Sequence, residues 1–306
     1  MILSYTKLGY ARRSRRWDAA DLAAMDGKVV LVTGATSGLG EAAATGFARL
    51  GASVWLVARS RERGEGARAR IAEQTGSDAV HVGICDLSDL RSVRRFAEQC
   101  QSEPGRVDVL VNNAGALTEE RSLSRDGIEL TLATNVVGPF LLTKLLVPLL
   151  ARSAPARVIN VSSGGMYTQG LHLEDLQNAH GRFRGTVAYA RTKRMQVVLS
   201  ELWASRLDGT GVVVNAMHPG WVDTPGLRDS LPGFYRVVRP LLRTPQEGAD
   251  TIVWLGSAPR AAALSGAFWF DRGRRPTHVL GRGAESREDR ARLWTAIERL
   301  SGQLSP

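Results

Sequence analysis

From residue 28 to about residue 269, short apolar runs alternate with segments whose apolar positions recur at helical spacing. The runs at 28–33, 53–58, 79–84, 107–111, 156–161, 211–217 and 266–269 read as strands, and 39–50, 61–74, 87–101, 126–149, 186–207 and 245–255 read as helices. VVLVT (29–33) and VVVNAM (212–217) are apolar almost throughout, as strands are when helices cover both their faces. Regular β–α alternation with short links predicts an α/β fold: a single doubly wound domain over 27–270, with a parallel seven-stranded sheet and helices on both faces. Residues 1–26 form an N-terminal extension, and 271–306 a C-terminal extension with a helix. Two further stretches break the alternation. One is a Gly-containing insertion at 164–185. The other is 223–243, where Pro225, Pro232 and Pro240 are expected to interrupt any regular element. Long loops after strand ends are where such sheets build their pockets.

Apolar residues at 43% and charged residues at 23% are ordinary for a globular protein. No uninterrupted apolar run reaches the ~18 residues of a membrane span. The longest, 139–150, contains Lys144 and Pro148, so no transmembrane segment is expected. The amino-terminal MILSYTKLGYARRSRRW lacks the apolar centre of a secretory signal, and Cys85 and Cys100 are too few for a disulfide framework, which points to the cytoplasm. The net charge of +10 is loaded at the ends: residues 1–28 carry six Lys/Arg against three Asp/Glu, and 259–306 carry nine against five. Such ends suit solubility in an Arg- and Ala-rich chain of the kind a GC-rich bacterial genome encodes, and leave open a peripheral contact with anionic lipid. No recognition motif accompanies the charge, so nucleic acid is not an expected partner. His172, His180, His218 and His278 lack metal-ligand spacing, and no metal is expected.

The chemistry begins at VVLVTGATSGLG (29–40), where an apolar strand runs into Gly34, Gly38 and Gly40 and then a helix. Alone, such a trio is also an ordinary Gly-rich turn. Between a strand and a helix it makes a pyrophosphate cradle: a tight turn, close backbone approach, and free N–H groups at a helix start. At the end of the second strand, Ala58 stands where a carboxylate would hold the ribose hydroxyls of NAD, and Arg59, Arg61 and Arg63 follow. A neutral residue next to Arg59 suits the 2′-phosphate of NADP(H). Asp86-Leu87 and Asn113-Ala114-Gly115 follow the third and fourth strands and open onto the same crevice. Tyr189 and Lys193 share one helix face, and an ammonium beside a phenol is expected to pull its pKa down toward the working pH. A tunable phenol can exchange a proton with an alcohol or alkoxide. The fifth strand ends in Ser162-Ser163, where a hydroxyl could hydrogen-bond the reacting oxygen.

TGATSGLG (33–40), NNAG (112–115), LATNVVGPF (132–140), VSSGG (161–165), YARTK (189–193) and HPGWVDTP (218–225) stand in the order of, and together resemble, the short-chain dehydrogenase/reductase family. The resemblance implies a catalytic set of Asn135, Ser163, Tyr189 and Lys193, in which Asn135 holds a water that relays protons to Lys193 and Lys193 also grips the nicotinamide ribose. It further implies that Gly34, Ser37, Leu39, Asp86, Leu87, Asn113, Val222 and Thr224 surround the cofactor, with Pro219 and Gly220 beside them. Ser163 lies 26 positions before Tyr189, so the segment between must loop out for Ser163, and not Ser162, to reach the phenol.

The resulting expectation is an NADP(H)-dependent oxidoreductase acting on a small carbonyl or alcohol substrate. Trp221, Leu227, Leu231, Phe234 and Tyr235 point to an apolar one, and the exit of FWFDR (268–272) is a further candidate wall. The rival is a non-catalytic NADP-binding sensor or scaffold, against which the intact Tyr189 and Lys193 weigh. Apolar residues left over on helices 126–149 and 186–207 point to a homodimer or homotetramer.

Overall fold

The computed structural model describes residues 2–230, 232–278 and 284–302. Its centre is β1 (Val29–Thr33), buried along its whole length. Around it the sheet runs in the order β3-β2-β1-β4-β5-β6-β7-β8, with β2 (Ser53–Ala58), β3 (Val80–Ile84), β4 (Val109–Asn112), β5 (Ala156–Val161), β6 (Val212–Met217) and β7 (Phe268–Phe270) all parallel. The order reverses between β1 and β4, and the strand ends there splay apart into a crevice. Seven strands were expected and eight are found among the described residues. β8 (Gly273–Arg275) pairs antiparallel with β7 across a two-residue turn in which Asp271 and Arg272 both have positive φ, 52° and 51°. A two-residue hairpin favours that backbone. GRR is too short and polar to show strand periodicity.

Alternate residues of β1 face different layers. Val30 and Val32 pack with α2 (Gly38–Arg49), α3 (Arg61–Thr75) and α10 (Pro245–Ser257), while Val29 and Leu31 pack with α4 (Leu90–Ser102), α6 (Gly138–Arg152) and α7 (Gly185–Arg206). The helix expected from 126 starts at α5 (Leu130–Leu132), with Glu129 accepting the Thr131 and Leu132 N–H groups, and passes through a π-helical turn, Ala133–Val137, into α6. The whole stretch Leu130–Arg152 is, by length and composition, apolar enough to cross a membrane, although Lys144 and Pro148 interrupt its apolar run. Its most apolar window is 72% buried inside the protein, as a core helix.

Pro225 and Pro232 do not interrupt the segment in which they lie. They open α8 (Pro225–Ser230) and α9 (Pro232–Val238), because the first helical position needs no N–H donor.

Both extensions are built into the fold. α1 (Lys7–Ser14) follows a 3-10 turn, and Arg243 clamps that turn from inside. Its guanidinium, 1% exposed, grips Asp271 at 2.5 and 2.9 Å and donates to the carbonyls of Ser4, Thr6 and Pro219 at 2.8, 3.3 and 3.2 Å. The C-terminal helix α11 (Arg287–Leu300) buries Leu293, Trp294 and Ile297 against α6 and α7. Trp294 meets Phe140 and Trp203 edge-on at 4.9 and 4.8 Å, and Lys144–Glu298 and Arg290–Glu201 pin the helix at 2.7 Å each. Phe140 of α6 and Trp203 of α7, two of the apolar residues on the helices expected to pair, are thus covered by α11 of the same chain.

Candidate active site

The glycine loop and the segment after β4 are fastened together. Thr33 Oγ1 accepts the N–H groups of Asn113 and Ala114 at 2.9 and 3.0 Å, and Asn113 Nδ2 donates to the carbonyls of Thr33 and Gly34. This closeness dictates the glycines. A Cβ on Gly40 would stand 2.3 Å from the Gly34 oxygen, and Gly34 itself has φ +65° with Ala114 beside it. The N-terminus of α2 opens into the crevice that results. The one carboxylate in its first turn, Glu41, is held by a bidentate Arg70 at 2.8 and 2.9 Å, so its charge is countered where an anion would bind.

The crevice has a volume of about 600 Å3. Gly34, Ser37, Gly38, Leu39 and Gly40 line one side, Asp86, Leu87, Asn113, Ala114 and Gly115 the other, and Arg59 closes the outer end beside Ala58. Arg63, one of the arginines that follow the second strand, shares that end with Ser60, which the sequence did not single out. The signal for Ser60 is the start of α3, where its side chain accepts the Arg63 N–H. These residues fit a dinucleotide: backbone donors where phosphates lie, small residues where rings lie, guanidinium groups at one end.

Leu39, Asn113, Gly115, Ala116 and Thr224 also border a second cavity of about 500 Å3. Ser163, Tyr189, Lys193, Pro219, Gly220 and Val222 line it, and its outer wall is apolar, from Trp221, Leu227 and Phe234. Tyr235 lies instead against Arg228; Leu231 is outside the described residues. The expected FWFDR wall is corrected: Phe268 and Phe270 stack on His218, at 5.6 and 4.1 Å, in the interior behind the cavity.

Tyr189 and Lys193 sit one helical turn apart on α7, with the ammonium 5.3 Å from the centre of the phenol ring. The two serines differ in what they touch. Ser162 Oγ is buried and donates to the Lys193 carbonyl at 2.8 Å, whereas Ser163 hydrogen-bonds the Tyr189 phenol. The insertion loops out as two short 3-10 turns, Gly164–Thr168 and Leu173–Asp175, which lets Ser163 stay in reach.

The expected lowering of the phenol's pKa is not found. Burial raises Tyr189, opposed only by the Ser163 hydrogen bond. Lys193, also out of water, is pushed down to about 7. Desolvation of the ammonium works against the charge expected to tune its neighbour. Asn135 lies behind the cavity wall, fully buried on the π-helical turn. It pins Ala116 at both ends, accepting its N–H at 2.7 Å and donating to its carbonyl at 3.0 Å. Gln196, unremarked in the sequence, links Lys193 to Asn135. Its signal was a position three residues after Lys193 on the same helix.

A model of the short chain dehydrogenase family matches residues 28–232. Dehydrogenase/reductase SDR family member 12 of Bos taurus is 42% identical over 300 residues, covering 97% of this chain and 94% of that protein. Retinol dehydrogenase 12 of Homo sapiens is 38% identical over 280 residues, covering 91% and 87%. Among solved structures, L-sorbose reductase from Gluconobacter frateurii complexed with NADPH and L-sorbose superposes with a TM-score of 0.67 at 26% identity, covering 82% of this chain and 96% of that one. The chain is a member of the short-chain dehydrogenase family of oxidoreductases.

Proposed function

We propose that the protein is an NADP(H)-dependent oxidoreductase that interconverts a carbonyl and an alcohol on an apolar substrate, with Tyr189 as the acid/base. The observation that carries this reading is the meeting of Ser163, Tyr189 and Lys193 where the dinucleotide-shaped crevice opens into the apolar cavity. When bound, the nicotinamide supplies or accepts the hydride. The chain's own residues do the rest. Gly34, Ser37, Gly38, Leu39 and Gly40 bind the pyrophosphate through backbone N–H groups, and Arg59 pairs with the 2′-phosphate. Asp86 and Leu87 border the adenosine half. Asn113, Ala114, Gly115, Pro219, Gly220, Val222 and Thr224 position the nicotinamide half, and Lys193 holds its ribose.

The phenol of Tyr189 gives its proton to the oxygen of a carbonyl being reduced, or takes one from an alcohol being oxidised. Its raised pKa keeps it protonated and therefore suited to the reductive direction. Ser163 donates a hydrogen bond to the same oxygen, and Asn135 fixes the cavity wall through Ala116. Retinol dehydrogenase 12 among the relatives and the Trp221, Leu227 and Phe234 wall favour an aldehyde carrying a long apolar body. We place the protein in the cytoplasm, where its two cysteines stay reduced: Cys85 and Cys100 are buried and free, each thiol pushed up to about 12 by burial.

NADPH consumption across a panel of apolar aldehydes and ketones tests the reading. Tyr189→Phe should bind NADPH as the wild type does and lose at least ~10²-fold in kcat. A variant retaining a tenth or more of the wild-type rate removes Tyr189 from this role.

A further inference from the structure

Among the described residues the Lys193 ammonium has two acceptors, the Val161 carbonyl at 2.8 Å and Gln196 Oε1 at 3.0 Å. The other end of the same amide donates from Nε2 to the Asn135 carbonyl at 2.7 Å. Gln196 is buried, and its backbone carbonyl accepts from Ser200 Oγ at 2.6 Å, which fixes this turn of α7 from below. The Lys193 ammonium and Asn135 are the two groups that a relay water would join in the mechanism implied by the sequence. Here one side chain already satisfies both. We propose that Gln196 is a positioning residue that stands in place of that water, anchoring the Lys193 ammonium beneath Tyr189 and closing the direct proton route from Lys193 to Asn135. The inference rests on the reading of Tyr189 and Lys193 given above.

The chemistry of the amide sets the consequence. A carboxamide orients charge through one acceptor and two donors but does not ionise near neutral pH, so it passes no proton as water does. The proton that Tyr189 loses is therefore replaced from the cavity side. Behind Gln196 lies a small void of about 20 Å3 bordered by Asn135, Thr143 and Asn160, about enough for one water. Shortening the side chain joins that space to the lysine. The groups facing Lys193 are the Tyr189 ring on α7, the Val161 carbonyl on β5, the backbone at Gly115 (where a Cβ would lie 3.6 Å from Nζ) and the Gln196 amide. Among the described residues no carboxylate forms an ion pair with it, so the amide is the one side chain that accepts a hydrogen bond from the cation.

The chain has only four lysines, at 7, 28, 144 and 193, so ε-13C-lysine labelling follows Lys193 directly by NMR, with Lys193→Met giving the assignment. Gln196→Met keeps the volume and removes both hydrogen bonds. It should lower the proton affinity of Lys193 about tenfold, one pH unit in its titration midpoint. Gln196→Glu should raise it by at least as much. A midpoint within ~0.3 units of wild type in both variants overturns the proposal, and Gln196→Glu alone decides it if Gln196→Met does not fold. Gln196→Ala, with room for a water, should keep a higher kcat than Gln196→Met, whose apolar side chain fills the space. Equal rates would show that no water-like function was lost. If the lysine midpoint moves as stated while Tyr189→Phe has no effect on turnover, the anchoring stands and the catalytic reading of Tyr189 falls.

Discussion

Arg243→Met is the perturbation with the most to reveal about how this family fold has absorbed its N-terminal extension. The wild-type guanidinium and Asp271 are both out of water, joined at 2.5 and 2.9 Å, and the remaining donors reach Ser4, Thr6 and Pro219. Removing one partner of a buried pair costs ~3–5 kcal/mol, because the other charge stays behind. Arg13, 31% exposed and 3.1 Å from Asp271, screens part of that loss, so the lower end applies. An unfolding entropy of about 2.1 cal/mol/K per residue gives roughly 0.6 kcal/mol/K for a chain of this length, and hence a drop in Tm of about 5 °C. The fall should be accompanied by faster amide exchange at Trp221, whose N–H is bonded to the Tyr5 carbonyl at 2.9 Å, with protection of β1 and β4 unchanged. Adding Asp271→Asn removes the stranded charge, so the double variant should melt at or above Arg243→Met, not below it. A Tm loss under ~2 °C, or strictly additive losses in the double variant, would refute the account of this clamp.

Two further predictions concern charge. Arg59→Ala should weaken NADPH binding roughly ten- to hundred-fold and leave NADH unchanged, and Ala58→Asp should reverse the preference; fluorescence titrations at low salt that give equal affinities in the wild type would sink the cofactor assignment. Lys193 is lowered from 10.5 to about 7 in the folded protein, so the cost of its burial is present in full below pH 7. That cost fades as pH rises toward 10.5, where the unfolded chain also gives up its proton, with a slope of at most ~1.4 kcal/mol per pH unit. The stability difference between Lys193→Met and wild type, measured by denaturant melts at pH 6 and 9.5, should therefore shift toward the wild type at the higher pH. A flat difference would show that the lysine titrates as it does in the unfolded chain.

What could be read in the sequence was whatever local backbone geometry demands. Gly34 and Gly40 are dictated by contacts under 3 Å to the segment after β4, and such demands leave a fixed spacing in the chain. Six of the seven parallel strands announced themselves because both faces are buried, and β3, half-buried, by its place in the alternation. β8 did not, since three residues with two arginines carry no period. Proline was misread at 225 and 232 because the same missing N–H that breaks a helix interior costs nothing at its first position. The Arg243 clamp joins residues 239 positions apart, and Gln196 meets Asn135 across 61; neither pairing has any trace in nearby residues. Tyr189 was recognised by its distance from Lys193, yet its acidity is set by the exclusion of water, which no spacing encodes.

The cover that α11 provides over α6 and α7 has a consequence in time. Synthesis finishes α7 at Arg206, but α11 begins only at Arg287. At ~5–20 residues per second, some 80 residues correspond to roughly 4–16 s during which Phe140 and Trp203 have each other but not the Trp294 ring that later covers them. A nascent or prematurely stopped polypeptide therefore displays a greasy patch that the completed one hides, and its exposure ends only when the last fourteen-residue helix leaves the ribosome and docks. In this protein the final helix acts toward its own core as a folding chaperone acts toward a client.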